Sequence, residues 1–64
     1  MLLQPPKPPL VLDVNEVARL LTVPADTVRN LHRTGQCPGV LVGRHLRWRL
    51  ADVEQYVNNL EVRH

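Results

Sequence analysis

The spacing of apolar residues changes period twice along this chain, and this change limits the folds that the chain can adopt. Apolar residues recur three and four positions apart in residues 14–31 and again in residues 53–60, which is typical of helices with one buried face. Between these segments, residues 46–50 alternate apolar and basic side chains, which is the two-residue period of a strand. The pattern predicts an α+β fold, mainly α, with three short helices and a two-stranded β-hairpin.

The first helix is predicted to begin at Val14 and to run to about Leu21. Asp13 is a favourable N-cap residue, and Glu16, three positions later, completes a capping box. The apolar stripe of this helix consists of Val14, Val17, Ala18 and Leu21.

A second helix is predicted to follow after a tight turn at Thr22 and Val23. Pro24 suits a first helical position because the N–H that proline lacks would have no partner there. Gly35 suits the C-terminal cap. The two helices and their three-residue turn form a helix-turn-helix pattern. The residues predicted to face inward are Ala25, Val28 and Leu31.

The hairpin is predicted from the two runs 40–42 and 46–50, joined by the three-residue link 43–45. Arg44 and His45 would lie at its tip. Trp48 alternates with apolar neighbours, so core packing is favoured over stacking on a nucleic-acid base. In the third helix, Asp52 and Glu54 would occupy the first turn. Its core-facing stripe would be Val53, Tyr56, Val57 and Leu60.

The length of 64 residues fits one domain. We expect a proline-rich, extended tail at residues 1–11, a folded domain at 12–61 and a frayed end at 62–64. A leader or linker is favoured over an interaction motif for the tail. The apolar start, Met1 to Leu3, is too short for a signal peptide or a membrane span, so we expect a cytoplasmic protein with no membrane partner.

Charge is distributed unevenly, although the net charge is only +2. Residues 27–51 contain no Asp or Glu and hold five arginines. Such a block is typical of proteins that bind a polyanion, although a solvated basic face gives the same pattern. Arginine suits bidentate contacts with phosphate and guanine better than lysine does.

The sequence gives no support for catalysis, a cofactor or a metal site. Cys37 is the single cysteine, which excludes an internal disulfide framework. His32, Cys37 and His45 lack the spacing of a zinc site, and the scattered acids form no catalytic set. We expect a non-enzyme in which Cys37 is a half-buried loop residue.

Two groups of side chains are candidates for contact with duplex DNA. In the second helix, Arg29 and Asn30 suit base edges, Thr27 suits a thymine methyl group or a phosphate, and Arg33 suits a phosphate. The alternative for these residues is a solvated helix face. In the hairpin, Arg44 and Arg47 would grip the backbone or the minor groove. Arg49 would either contact DNA or pair with the acidic start of the third helix.

Three segments carry a resemblance to a known family over about residues 12–60: LDVNEVARLLTV, TVRNLHRTG and VLVGRHLRWRLADVEQYV. They resemble the excisionase (recombination directionality factor) domain, a MerR-like winged helix-turn-helix. The resemblance implies a small phage or prophage DNA-binding protein that acts with an integrase and bends attachment-site DNA towards excision. Its recognition-helix positions fall on Ala25, Asp26, Thr27, Arg29 and Asn30, and its wing positions on Gly43, Arg44, His45 and Arg47.

The chain departs from this family at two positions. Pro24 replaces a Ser-type cap, and Asp26 puts a carboxylate where a basic residue is frequent, which repels phosphate unless it reads a cytosine amino group.

The resemblance also implies cooperative binding to repeated sites. A leucine seam for a coiled coil is absent, so self-association would run head-to-tail along DNA. A small MerR-like transcriptional regulator would use the same module, and a protein-interaction adaptor would use the same basic surface. All three roles stay open at the level of sequence.

Overall fold

The computed structural model describes residues 9–62. Most of the predicted proline-rich tail, residues 1–8, and the last two residues of the predicted frayed end lie outside this range. Within this range the chain forms three helices and a small antiparallel sheet, so the predicted α+β winged helix-turn-helix is confirmed. In chain order the elements are β1 (Val11–Leu12), α1 (Val14–Leu21), α2 (Ala25–Arg33), β2 (Val40–Val42), β3 (His45–Arg49) and α3 (Leu50–Asn58).

The sheet has a strand that the sequence did not predict. Its order is β1-β3-β2, and β1 pairs with β3 through Val11 opposite Arg49 and Leu12 opposite Trp48. The prediction had placed Val11 in an unpaired tail and had given the sheet two strands. A two-residue strand is too short to show a period, so its pairing is visible only in the tertiary structure.

The start of α1 is as predicted. The Glu16 N–H donates to the Asp13 carboxylate at 2.8 Å, and the Glu16 carboxylate accepts from the Asp13 N–H at 3.0 Å. This capping box satisfies two of the amide groups that a helix start leaves without partners. Thr22 ends the helix in the left-handed conformation, with φ 55°.

The start of α2 differs from the prediction by one residue. Pro24 is the N-cap, with extended backbone (φ −64°, ψ 152°), and Ala25 is the first helical residue. Pro24 supplies no side-chain cap, but its carbonyl accepts from the Thr27 N–H at 3.0 Å. At the other end Gly35 has φ +79° and its N–H donates to the His32 carbonyl at 3.1 Å, so the predicted glycine cap is confirmed.

The hairpin turn is shorter than predicted. Val42 pairs with His45, which leaves only Gly43 and Arg44 in the turn. Gly43 has φ +62°, as the first central residue of a type II′ turn requires. His45 is therefore a strand residue and not part of the tip.

α3 begins and ends earlier than the predicted stripe. Its first residue is Leu50, whose N–H donates to the Leu10 carbonyl at 3.0 Å, so Asp52 lies in the first turn and Glu54 does not. The helix ends at Asn58. Val57 and Leu60 are 46% and 54% exposed, so the C-terminal half of the stripe does not cover the core.

The core is centred on Trp48, which is fully buried. Its indole N–H donates to the Cys37 carbonyl at 2.9 Å, which confirms the predicted core position. Cys37 is 2% exposed, so the half-buried loop position predicted for it is wrong. Burial raises the pKa of the Cys37 thiol above its ordinary value, and the charge of Asp52 raises it further. The buried residues are Leu12, Val17, Val28, Cys37, Trp48 and Val53.

Of the helices described, none has the length and apolar character needed to cross a bilayer.

Trp48→Phe is expected to lower the free energy of unfolding by about 2 kcal/mol, because it leaves a gap and removes the N–H donor of the Cys37 carbonyl. Urea unfolding followed by circular dichroism measures this change. The control is Tyr56→Phe, which removes one hydroxyl from a partly buried ring and should stay within about 0.5 kcal/mol of the unmodified protein. Equal stability of the two variants would contradict the central position of Trp48.

Candidate nucleic-acid interface

The outer face of α2 carries four of the six predicted recognition-helix residues. Val28 is fully buried, and the side chains on the opposite side of the helix are exposed. Ala25 and Thr27 are partly buried against the rest of the fold. The exposed residues are Asp26, Arg29, Asn30 and Arg33.

These four side chains form two pairs along the helix. Arg29 Nη1 lies 2.8 Å from Asp26 Oδ1, with side chains 58% and 92% exposed. Arg33 donates to the Asn30 side-chain oxygen. Exposed ion pairs of this kind contribute about 0–1 kcal/mol, so a phosphate or a base edge can replace the partner at low cost. Asp26 nevertheless reduces the positive potential around Arg29.

The wing tip presents Arg44. This residue occupies the second position of the hairpin turn, is exposed, and forms no ion pair with any residue in 9–62. His45 follows it as the first residue of β3 and is also exposed. The left-handed Gly43 lets the chain reverse within two residues, so Arg44 projects from the end of the hairpin.

Arg47 and Arg49 lie on the outer face of β3, because strand residues alternate and Trp48 between them points into the core. Arg47 is partly buried, and its guanidinium donates to the Leu46 carbonyl at 2.7 Å. Arg49 Nη1 lies 3.7 Å from Asp52 Oδ2, which is the pairing that the sequence left open for it. Arg49 lies at the end of β3 farthest from the wing tip, opposite Val11 of β1, and Arg47 lies between that end and the tip.

The connection between α2 and the wing, residues 34–39, is closely held. The Cys37 N–H donates to the Leu31 carbonyl at 3.1 Å, and the Gly39 N–H donates to His32 Nδ1 at 2.9 Å. The His32 ring also meets Trp48 edge-on, with centroids 6.0 Å apart. Residue spacing does not predict a contact between a helix residue and a loop residue seven positions later, so His32 was not predicted to take part in the interface.

The wing also exposes apolar side chains that the sequence did not assign to the interface. Leu41 is 70% exposed and Val42 is 49% exposed. Leu41 pairs with Leu46 on the core-facing side of the hairpin, but of the two only Leu46 packs against the core. The sequence signal was the run Val40 to Val42, which shows a strand but not where the core ends.

The structure brings together no metal-ligating cluster within residues 9–62. The imidazole Nδ1 of His32 is occupied by the Gly39 N–H, the thiol of Cys37 is buried, and His45 lies on the exposed wing. His32 and Cys37 therefore both lie beside Trp48 in the core, whereas His45 lies apart from them on the wing.

Comparison with known protein families gives a match to the family described as "Helix-turn-helix domain" over residues 11–61. No curated protein matches the chain significantly, and no solved structure does so. The matched range starts at β1 and includes both helices of the turn, the wing and α3. The chain therefore belongs to the helix-turn-helix domain family, and DNA-binding proteins with this motif place its second helix in the major groove.

Proposed function

We propose that this protein binds double-stranded DNA sequence-specifically, with α2 in the major groove and the wing on the adjacent backbone or minor groove. The observation that carries this proposal is the position of the acid-free stretch. Residues 27–51 include α2 after Asp26, the connection and the whole hairpin. Arg29, Arg33 and Arg44 are exposed along it, so the two elements that would meet DNA are positively charged.

In α2, Arg29 and Asn30 read base edges and Arg33 contacts a phosphate. Arg29 pairs bidentately with guanine, and Asn30 with adenine. Each must first leave its partner on the helix, Asp26 or Arg33. The partly buried Ala25 and Thr27 lie where the helix backbone would approach a thymine methyl group or a phosphate.

In the wing, Arg44 contacts the DNA backbone or the minor groove. Gly43 allows the close approach of the turn, and His45 adds a donor beside it. Arg47 and Arg49 are secondary contacts, because one is bound to its own strand and the other is paired with Asp52. Contacts of this kind set position and affinity more than sequence preference.

Within DNA binding, we propose the role of an excisionase that binds and bends attachment-site DNA with an integrase. The support is the resemblance of the three segments within residues 12–60 to that family. In this role the protein is not an enzyme and needs no cofactor, and it acts on DNA in the cytoplasm. Further copies would add head-to-tail on neighbouring sites.

Binding of the full chain to duplex DNA is expected to weaken steeply with salt. Neutralising about four or five phosphates gives a slope of log affinity against log salt of about −4. Fluorescence anisotropy with a labelled duplex at several NaCl concentrations measures this slope. A slope near zero would contradict DNA binding and would favour an adaptor that binds an acidic protein.

Arg29→Ala and Arg44→Ala are expected to differ in how their loss of binding depends on the DNA sequence. Arg29→Ala should weaken the free energy of binding by about 1–3 kcal/mol on a genomic site that was selected by its binding to the purified protein. The loss should be smaller on a random duplex, because the contact that is removed is a base contact. Arg44→Ala should weaken binding to both duplexes similarly. Gel-shift titrations on both DNAs test this difference.

Arg19→Ala is the matched control for these variants. It removes the same charge from α1, where Arg19 lines a cleft with Leu20 and Leu50, and should change the affinity less than about two-fold. If all three variants bind alike, the assignment of the interface is wrong.

The excisionase role predicts two activities that simple binding does not. Circular permutation of the selected site in a gel-shift assay should show bending, and the protein should raise excision by a cognate integrase. Arg44→Ala should lower both activities. Tight binding without any effect on excision would refute the excisionase role and would favour a transcriptional regulator, while DNA binding itself would stand.

A further inference from the structure

A single side-chain hydrogen bond ties α2 to the start of the wing. His32 lies in the last turn of α2, and its Nδ1 accepts from the Gly39 N–H at 2.9 Å. Gly39 immediately precedes β2, the first strand of the hairpin. Within residues 9–62, no other side chain of α2 is hydrogen-bonded to the connection or to the hairpin.

The backbone at Gly39 is packed closely against β3. A Cβ atom placed there would lie 2.7 Å from the Arg47 carbonyl oxygen and 3.2 Å from Trp48 Cε2. The ring of His32 meets the same tryptophan at an interplanar angle of 78°. His32, Gly39 and Trp48 therefore form one cluster at the junction of helix and wing, and a shift of the His32 ring would move the start of the hairpin.

The chemistry of this bond requires one form of the imidazole. A backbone N–H can only donate, so Nδ1 must be unprotonated and the ring hydrogen must be on Nε2. Among substitutions, asparagine offers an acceptor oxygen at a similar distance from the backbone, whereas alanine offers no acceptor. The two variants therefore separate the hydrogen bond from the presence of the imidazole.

We propose that His32 is a positioning residue for DNA binding, which fixes the wing relative to α2 so that Arg29 and Arg44 engage one duplex together. Arg29 lies three positions before His32 and so is its neighbour on the surface of α2. Arg44 lies in the hairpin that starts at the residue after Gly39. This inference rests on the proposed DNA-binding function, which it deepens.

The test combines His32→Ala and His32→Asn with Arg29→Ala and Arg44→Ala. On the selected site, His32→Ala should weaken binding about five-fold, as expected for one lost hydrogen bond. In the His32→Ala background, the loss of binding free energy caused by Arg44→Ala should fall to about a third of its value in the unmodified protein, because the wing is no longer fixed to the helix. The loss caused by Arg29→Ala should stay the same. His32→Asn should restore both the affinity and the penalty of Arg44→Ala.

Two results would overturn the positioning role. One is that His32→Ala, shown by circular dichroism to be folded, binds like the unmodified protein or leaves both arginine penalties unchanged. The other concerns the unmodified protein without DNA, which ¹⁵N NMR can examine directly. The proposal requires that His32 Nδ1 is unprotonated and coupled to the Gly39 amide. A protonated Nδ1 would refute the positioning role even if DNA binding stands, whereas failure of the unmodified protein to bind any duplex would refute the proposed function.

Discussion

The burial of Trp48 is the constraint on which the rest of this small fold depends. Its side chain lies on the buried face of the sheet, next to Leu12, which pairs with it from β1. Its N–H holds the Cys37 carbonyl, and its ring edge meets His32. Six of residues 9–62 are buried in the core, and Trp48 is the largest of them. The tryptophan therefore fixes the sheet and the helix-to-wing connection at once.

This arrangement separates a rigid scaffold from labile surface contacts. The scaffold consists of backbone hydrogen bonds, the capping box and the cluster around Trp48. The surface side chains of α2 are held only by exposed pairs such as Arg29 with Asp26, which cost little to break. A surface built in this way can exchange its partners for DNA without a change in the backbone, so little ordering free energy is lost on binding.

The sequence predicted the elements whose signal is local. Asp13 and Glu16 defined the start of α1, and alternation around Trp48 defined the hairpin and its buried face. It missed β1, because two residues show no period, and it started α3 too late, because Leu50 continues the alternation of β3 while its N–H is bound to Leu10. The α2 arginines were correctly placed on an exposed face. Their partners, and the contact of His32 with Gly39, depend on rotamers and tertiary packing that residue spacing does not encode.

In the proposed complex, Asp26 gives the surface of α2 selectivity at the cost of general affinity. Its carboxylate repels every phosphate, and it also binds the guanidinium that would otherwise attract any stretch of backbone. With α2 in the major groove as proposed, Arg29 is released most favourably where a guanine offers two acceptors in place of the carboxylate. Specificity is a difference between affinities. A carboxylate that weakens binding to all sequences therefore increases this difference when a guanine contact offsets the weakening at only some of them. In the proposed complex, Arg44 on the wing, which forms no ion pair within residues 9–62, supplies the attraction that α2 gives up.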